Sequence, residues 1–356
     1  MSIKLLDKIQ NAIGKIYILG NGELGTILCQ YLEKLDVEIE SFVVNDEYYH
    51  SQMSRTIAVS QLPDLDEELL IVVAVRYNQD IVAKKVMERG YKVAFINYPE
   101  DMLDIYGEVY RRLFKKNDIN MKEPILKNGK YVFLNPFYLQ GGRALDWYME
   151  ARDNILPVLF DDDTLIDEGP YFYDCVYIEK DDIVIDAGAN IGLFSAIAAV
   201  QGKTVYAFEP DKENVGYLKK IADILPNINI IEKALADKEG ENVFFLDKEY
   251  RSRNSLYASM MENDTETITV PMITIDTIVE REAIEHVDFI KADIEGAERY
   301  MLSGAEKTIK RFHPKISICT YHLKDDPEVL ETLLKEIEPR YQIIHRWKKM
   351  FAYYKA

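Results

Sequence analysis

Short apolar runs rich in β-branched residues alternate along most of the chain with segments whose apolar positions recur every three or four residues. The first run, 15–19, leads into Gly20-Asn-Gly-Glu-Leu-Gly25 and then a helical pattern reaching Leu35. Further strands are predicted at 39–44, 69–75 and 93–96. Such alternation predicts a parallel sheet with helices on its faces. Between 101 and 165 the pattern changes: 104–115 and 144–155 look helical, while Asn128-Gly129 and Gly141-Gly142 punctuate the chain. From Asp181 the alternation resumes. Strands are predicted at 183–187, 204–208, 228–231, 287–292, 316–320 and 341–345, and helices at 194–200, 212–224, 297–311 and 327–337. The runs 243–246 and 267–273 read as a β excursion. The fold class is α/β, with a doubly wound Rossmann-like sheet preceded by a smaller Rossmann-like α/β domain. The expected division is 1–100 for the small domain, 101–165 for a connector packing on the second domain, and 166–356 for that domain.

Composition supports two packed cores, with 48% hydrophobic and 29% charged residues in 356. A formal net charge of −18 opposes a nucleic-acid partner, whose phosphates are held largely by Lys and Arg. Cys29, Cys175 and Cys319 are widely spaced, which suggests neither a disulfide framework nor a zinc site. The longest apolar run, 69–75, is far shorter than the roughly 20 residues of a membrane span. A cytoplasmic location is therefore expected, with no membrane span.

The chemistry concentrates at Asp186-Ala-Gly-Ala-Asn-Ile-Gly192, a glycine loop joining a strand to a helix. Gly188 and Gly192 permit a tight turn and close backbone approach by a ligand. A dinucleotide would place its pyrophosphate at this helix N-terminus. Asp186 opposes that, and suits instead a cationic amino group such as the methionyl end of S-adenosyl-L-methionine. Glu209 ends the next strand, in the place where an acid accepts both hydrogen bonds of a ribose diol.

Asp186–Ser195 (DAGANIGLFS) and Phe208-Glu-Pro-Asp211 resemble motifs of the FkbM-type methyltransferases. Lys233-Ala-Leu-Ala236, Ile275-Asp-Thr-Ile278, Ile290-Lys-Ala-Asp-Ile-Glu-Gly-Ala-Glu298 and, upstream, Glu168-Gly-Pro-Tyr171 continue the resemblance over about 165–320. It implies a class I methyltransferase sheet, mostly parallel with an antiparallel C-terminal strand that 350–354 could supply. It also implies O-methylation of hydroxyls on sugars and related small molecules, with S-adenosyl-L-methionine as cofactor. Carried over, Asp186, Gly188, Asn190 and Gly192 would line the methionyl end, and Glu209 would hold the ribose. Ala234 and Leu235 would lie near adenine. Tyr171 would either cover the cofactor or serve as a buried structural tyrosine.

Lys291, Asp293 and Glu295 follow one another at alternate positions, which puts them on one side of an extended chain. Asp293 is the candidate base or substrate-orienting carboxylate. Glu295 would bond substrate or cap the following helix, and Lys291 would pair with either acid and hold down its pKa. His322, after the 316–320 strand, is the alternative base. Asp293, Glu295 and His322 form the alternative reading as a Mg²⁺ or Mn²⁺ set, although no metal is assigned. Asn254-Ser-Leu256 reads either as a substrate-lid contact from the excursion or as a plain surface loop. Near the N-terminus, Gly20, Gly22 and Gly25 match a dinucleotide fingerprint. Asp46 lies later than the usual ribose acid, and Glu23 puts an anion in the would-be phosphate loop. Competing readings are an NAD-dependent sugar oxidoreductase or epimerase using that first domain, and a non-enzymatic cofactor-binding module. A Tyr-x-x-x-Lys pair is absent at Tyr217 and Tyr91, which face Ile221 and Phe95 at that offset. The expected partner is a small-molecule or carbohydrate acceptor, and the N-terminal domain is a candidate for self-association.

Overall fold

The computed structural model describes residues 4–65, 68–247, 255–256 and 265–355. The chain divides after Asp118 into two compact units.

The first unit runs α1 (Leu5–Gln10), β1 (Ile16–Leu19), α2 (Glu23–Lys34), β2 (Ser41–Val44), β3 (Thr56–Ala58), β4 (Leu70–Val73), α3 (Gln79–Glu88), β5 (Lys92–Phe95) and α4 (Glu100–Lys116). Its strands are all parallel, in the order β3-β2-β1-β4-β5. β1 and β4 are buried at every position, as strands covered on both faces must be. β3 has three residues and is too short to show a period. Gly25 opens α2 where a Cβ would stand 2.0 Å from the Gly20 carbonyl oxygen, so the close helix–strand junction needs glycine there.

The stretch 101–165, expected as one connector, splits between the units. α4 belongs to the first, where Tyr106 packs edge-on against Tyr31 of α2 at 4.4 Å. The remainder opens the second unit with a hairpin, β6 (Ile125–Asn128) and β7 (Tyr131–Leu134), followed by α5 (Gly142–Asn154) and α6 (Leu156–Phe160). Pro157 in the first turn of α6 separates these helices.

The second unit continues with β8 (Ile183–Ala187), α7 (Leu193–Gln201), β9 (Thr204–Phe208), α8 (Lys212–Ala222), β10 (Ile228–Ile231), β11 (Ala234–Leu235), β12 (Gly240–Asp247) and β13 (Thr265–Ile273). Then come α9 (Ile275–Arg281), β14 (Phe289–Ala292), α10 (Glu298–Ser303), α11 (Glu306–Phe312), β15 (Lys315–Cys319), α12 (Asp326–Ile337), β16 (Tyr341–Arg346) and β17 (Lys349–Tyr354). The main sheet has the order β10-β9-β8-β14-β15-β17-β16. β10, β9, β8, β14 and β15 pair in parallel, and β17 is antiparallel to both its neighbours. The C-terminal antiparallel strand that the resemblance implied is present. β11, β13 and β12 form the small excursion sheet. Ile185, Ile290, Ile316, Ile318 and Leu330 lie at the centre of the core.

The single helix expected over 297–311 is two. A Cβ at Gly304 would stand 2.1 Å from the Ala236 carbonyl oxygen. The Gly304 carbonyl accepts a bond from Asp276 N, and the Asp276 carboxylate accepts from Lys307 N and Thr308 N at the start of α11. The excursion sheet and α9 thus hold the break in place. The strand order reverses between β8 and β14, which opens a crevice at the C-terminal ends of these strands. Among the described residues, no helix is long and apolar enough to cross a membrane.

Candidate active site

The glycine loop after β8 turns sharply because two positions tolerate φ values of +77° and +93°, Gly188 and Gly192. A Cβ on Gly188 would stand 2.0 Å from the Asp293 carbonyl oxygen, so β8 and β14 approach closely only with glycine there. The loop is tied to the end of β9. Gly188 N and Ala189 N donate to the Phe208 carbonyl at 3.1 and 2.9 Å, and Asn190 N donates to Glu209 Oε2 at 2.9 Å. Glu209 Oε1 accepts from Asp211 N at 2.9 Å and from Asn214 Nδ2 at 3.3 Å. Burial pushes the Glu209 carboxyl up to about 7 against these hydrogen bonds.

Gly188, Asn190, Glu209, Ala234 and Leu235 line one cavity together with Asp293 and Glu295. Phe244 and Leu256 of the excursion add apolar wall. Asn190 Oδ1 is buried without a hydrogen-bond partner. Of the expected excursion contact, Leu256 lines the cavity, Ser255 donates to the Glu295 carbonyl at 2.7 Å, and Asn254 lies outside the described residues.

Asp186 and Gly192 are not among the cavity-lining residues. Gly192 instead faces Leu218, whose Cδ1 would be 2.7 Å from an added Cβ. Asp186 is fully buried and accepts from Ser195 Oγ at 2.5 Å. Lys291, its register partner on β14, brings Nζ to 3.1 Å from Asp186 Oδ1. Asp186, expected to face a ligand's cationic amino group, faces the Lys291 ammonium in this structure. Lys291 Nζ also donates to the Gly188 carbonyl at 2.6 Å. Burial alone would lower its pKa, and the carboxylates of Asp186, Asp293 and Glu150 together raise it.

Asp293 is held from both sides. Tyr171 is 3% exposed and donates its hydroxyl to Asp293 Oδ2 at 2.6 Å, while its ring packs edge-on against Phe194 at 5.1 Å. His322 Nε2 lies 3.3 Å from Asp293 Oδ1 and 3.5 Å from Glu295 Oε2. The chain does not stay extended here, since Glu295 and Gly296 have φ of +51° and +93°. Asp293 and Glu295 still converge on His322, whereas Lys291 turns to Asp186. Glu295 caps no helix, because Glu298 closes this turn by accepting from Ile294 N at 2.9 Å. Burial raises Asp293, but His322 and then Lys291 and Lys349 hold its carboxylate well below the usual range. Burial pushes Glu295 upward against the pull of His322. For His322, burial acts downward, and Glu298, Glu295 and Asp293 lift the imidazole well above its ordinary value.

Three residues of this arrangement escaped the sequence reading. Glu298, fully buried, places Oε1 3.0 Å from His322 Nδ1. It ends the Ile290–Glu298 motif, but its role depends on the fold. Asp153 Oδ1 accepts from Asp167 N, Glu168 N and Gly169 N at 2.8, 3.1 and 3.0 Å, and Asn154 Oδ1 accepts from Tyr171 N at 3.2 Å. Together they fix the loop that carries Tyr171. The available signal was a pair of adjacent polar residues at the end of α5.

In the first unit, Gly22 N-caps α2 with no side-chain cap, and Glu23 stands 3.7 Å from Arg76. The carboxylate of Asp46, after β2, accepts from Ser60 N, after β3, at 3.3 Å.

Sheet order, antiparallel C-terminal hairpin and glycine loop define the second unit as a Rossmann-like fold of the class I methyltransferase type. Residues 186–341 match the model of the methyltransferase FkbM domain. The chain is 26% identical over 159 residues to hexuronic acid methyltransferase AglP of Haloferax volcanii, a match covering 44% of this chain and 63% of that protein. The chain thus spans somewhat less than two-thirds of that relative's length. Among solved structures, methyltransferase FkbM from Methylobacillus flagellatus is 19% identical, with 97% of this chain and 90% of that one covered and a TM-score of 0.43. Aeropyrum pernix fibrillarin, solved with natively bound S-adenosyl-L-methionine, is 12% identical, covering 49% of this chain and 67% of that one, with a TM-score of 0.31.

Proposed function

We propose that the chain is an S-adenosyl-L-methionine-dependent methyltransferase acting on a hydroxyl of a sugar, nucleotide-linked sugar or related small molecule. The observation that carries this reading is the convergence on one cavity of the Gly188 turn, the Glu209 carboxylate and the carboxylates of Asp293 and Glu295. The FkbM domain match and the similarity to a hexuronic acid methyltransferase support it.

The residues present fit the cofactor. Glu209 keeps a free lone pair on Oε2 for a ribose hydroxyl, and Ala234 and Leu235 offer apolar wall to an adenine. Gly188 leaves backbone exposed to close approach, and Asn190 Oδ1 is an acceptor with its hydrogen-bonding capacity unused. When bound, the cofactor supplies a methyl carbon already activated on a sulfonium. The protein's task is then to place an acceptor oxygen in line and receive its proton. Asp293 suits this. Tyr171 occupies Oδ2, and Oδ1, without a hydrogen-bond partner, is left to accept from the acceptor hydroxyl. His322 touches the Asp293 and Glu295 carboxylates and holds them together.

The test is methyl transfer by the full chain from isotope-labelled S-adenosyl-L-methionine to a panel of uronic acids, hexoses and nucleotide sugars. The reading expects an O-methyl product identified by mass spectrometry and NMR. Transfer only to amines, or binding of NAD in place of S-adenosyl-L-methionine, would overturn it.

A further inference from the structure

The atoms around His322 form a set whose capacity methyl transfer does not exhaust. The His322 side chain, from the loop after β15, is 2% exposed. Its Nδ1 lies 3.0 Å from Glu298 Oε1, which leaves Nε2 directed at Asp293 and Glu295. Nε2 stands 3.3 Å from Asp293 Oδ1 and 3.5 Å from Glu295 Oε2. Both ring nitrogens and Asp293 Oδ1 are buried within ion-pair distance of one another's groups, yet none has a partner in hydrogen-bond geometry. One atom from each of the three side chains falls within 4.8 Å of the others. Neighbouring ligands on an octahedral ion at about 2.1 Å stand about 3 Å apart, so slight contraction would seat one. A carboxylate behind the second ring nitrogen is also the usual device for orienting a metal-bound histidine.

We propose that Asp293, Glu295 and His322 bind one divalent cation of the Mn²⁺ or Mg²⁺ class, two carboxylates and one imidazole suiting hard, oxygen-preferring ions. Cation binding displaces any proton on Nε2 to solvent. Because Asp293 and Glu295 line the cavity, the remaining coordination positions open toward it. They would take the paired oxygens of a vicinal diol or hydroxy acid, a use that rests on the methyltransferase reading, although cation binding does not. A neighbouring set, Glu298, His322 and Asp326, is the weaker choice. Both Asp326 oxygens are already taken, Oδ1 by Arg299 Nε at 2.8 Å and Oδ2 by Leu323 N at 2.7 Å.

The experiment is titration of the full, chelator-treated chain with Mn²⁺ alone, followed by the loss of the free-ion electron paramagnetic resonance signal. One saturable site is expected. His322→Ala should abolish it, and Glu298→Gln should weaken it by about 10–100-fold, as loss of an orienting partner does. Glu331→Gln, on an exposed surface pair, should leave it unchanged. Nitrogen hyperfine coupling in the bound Mn²⁺ spectrum gives a second readout should His322→Ala fail to fold, and its absence would overturn the assignment. No saturable binding by the unmodified chain, or undiminished binding by folded His322→Ala, would also overturn it. Absence of saturable Mn²⁺ binding with methyl transfer still measured removes the cation and leaves the methyltransferase reading standing. Mn²⁺ held through His322, with no methyl transfer to any acceptor, does the reverse.

Discussion

Lowering the pH should weaken cofactor binding through one buried carboxyl. Glu209 sits at about 7 because burial disfavours its charge more than Asp211 N, Asn214 and Asn190 N favour it. The carboxylate can accept a ribose hydroxyl on Oε2 while keeping its bonds from Asn190 N, Asp211 N and Asn214, whereas the protonated acid turns one oxygen into a donor. The charged form therefore binds, and affinity should rise with pH. With a pKa of about 7, roughly one molecule in eleven is ionised at pH 6 and ten in eleven at pH 8. Apparent Kd should therefore increase about tenfold on going from pH 8 to pH 6, equivalent to about 1.4 kcal/mol. Calorimetry with S-adenosyl-L-methionine in buffers of different ionisation enthalpy measures both the affinity and the proton released on binding near pH 7. Glu209→Gln should bind more weakly and flatten the profile, because its amide donates toward backbone N–H groups that need an acceptor. A wild-type profile flat from pH 6 to 8, or one unchanged by Glu209→Gln, would refute the reasoning.

Gly188→Ala should lower stability by about 2–5 kcal/mol and abolish cofactor binding, because the new Cβ meets the Asp293 carbonyl at a positive φ. Thermal melts and calorimetry check it, and near-normal values would show that the β8–β14 approach is looser than described. Asp153→Ala should cost about 3 kcal/mol or more by stripping three N–H groups of their acceptor, while Asp153→Asn, which keeps an acceptor oxygen, should cost clearly less. Denaturant unfolding distinguishes these outcomes, and equal effects would deny Asp153 its acceptor role. Asp293→Asn should slow single-turnover methyl transfer by about 10²–10⁴-fold with cofactor affinity nearly intact. A rate close to wild type would leave Asp293 as a helix-entry residue only.

What the sequence made legible was local. The turn at Gly188, the acid at Glu209 and the pair Asp293 and Glu295 each follow an apolar strand, so position along the chain sets their place at the sheet edge. Ala234 and Leu235 follow β10 in the same way. Partners joined by tertiary contact stayed hidden. Asp186 pointed to a ligand's amino group, and the cation beside it is Lys291 on the adjacent strand, a pairing that only the sheet register reveals. Asp153 reads as an ordinary helix-end acid until the 167–169 loop folds onto it. The helical period runs unbroken across Gly304, because the interruption is imposed by Ala236 and Asp276 from outside that segment. Tyr171 left two roles open, and the 2.6 Å bond to Asp293 shows a buried tyrosine that pins a cavity-lining carboxylate.

The central claim is that the cavity bounded by Gly188 and Glu209 holds S-adenosyl-L-methionine. Calorimetry of the full chain with S-adenosyl-L-methionine and NAD side by side tests it most directly. The account predicts one saturable site for S-adenosyl-L-methionine, lost in Gly188→Ala, and no competition from NAD. Saturable binding of NAD with none of S-adenosyl-L-methionine would contradict it.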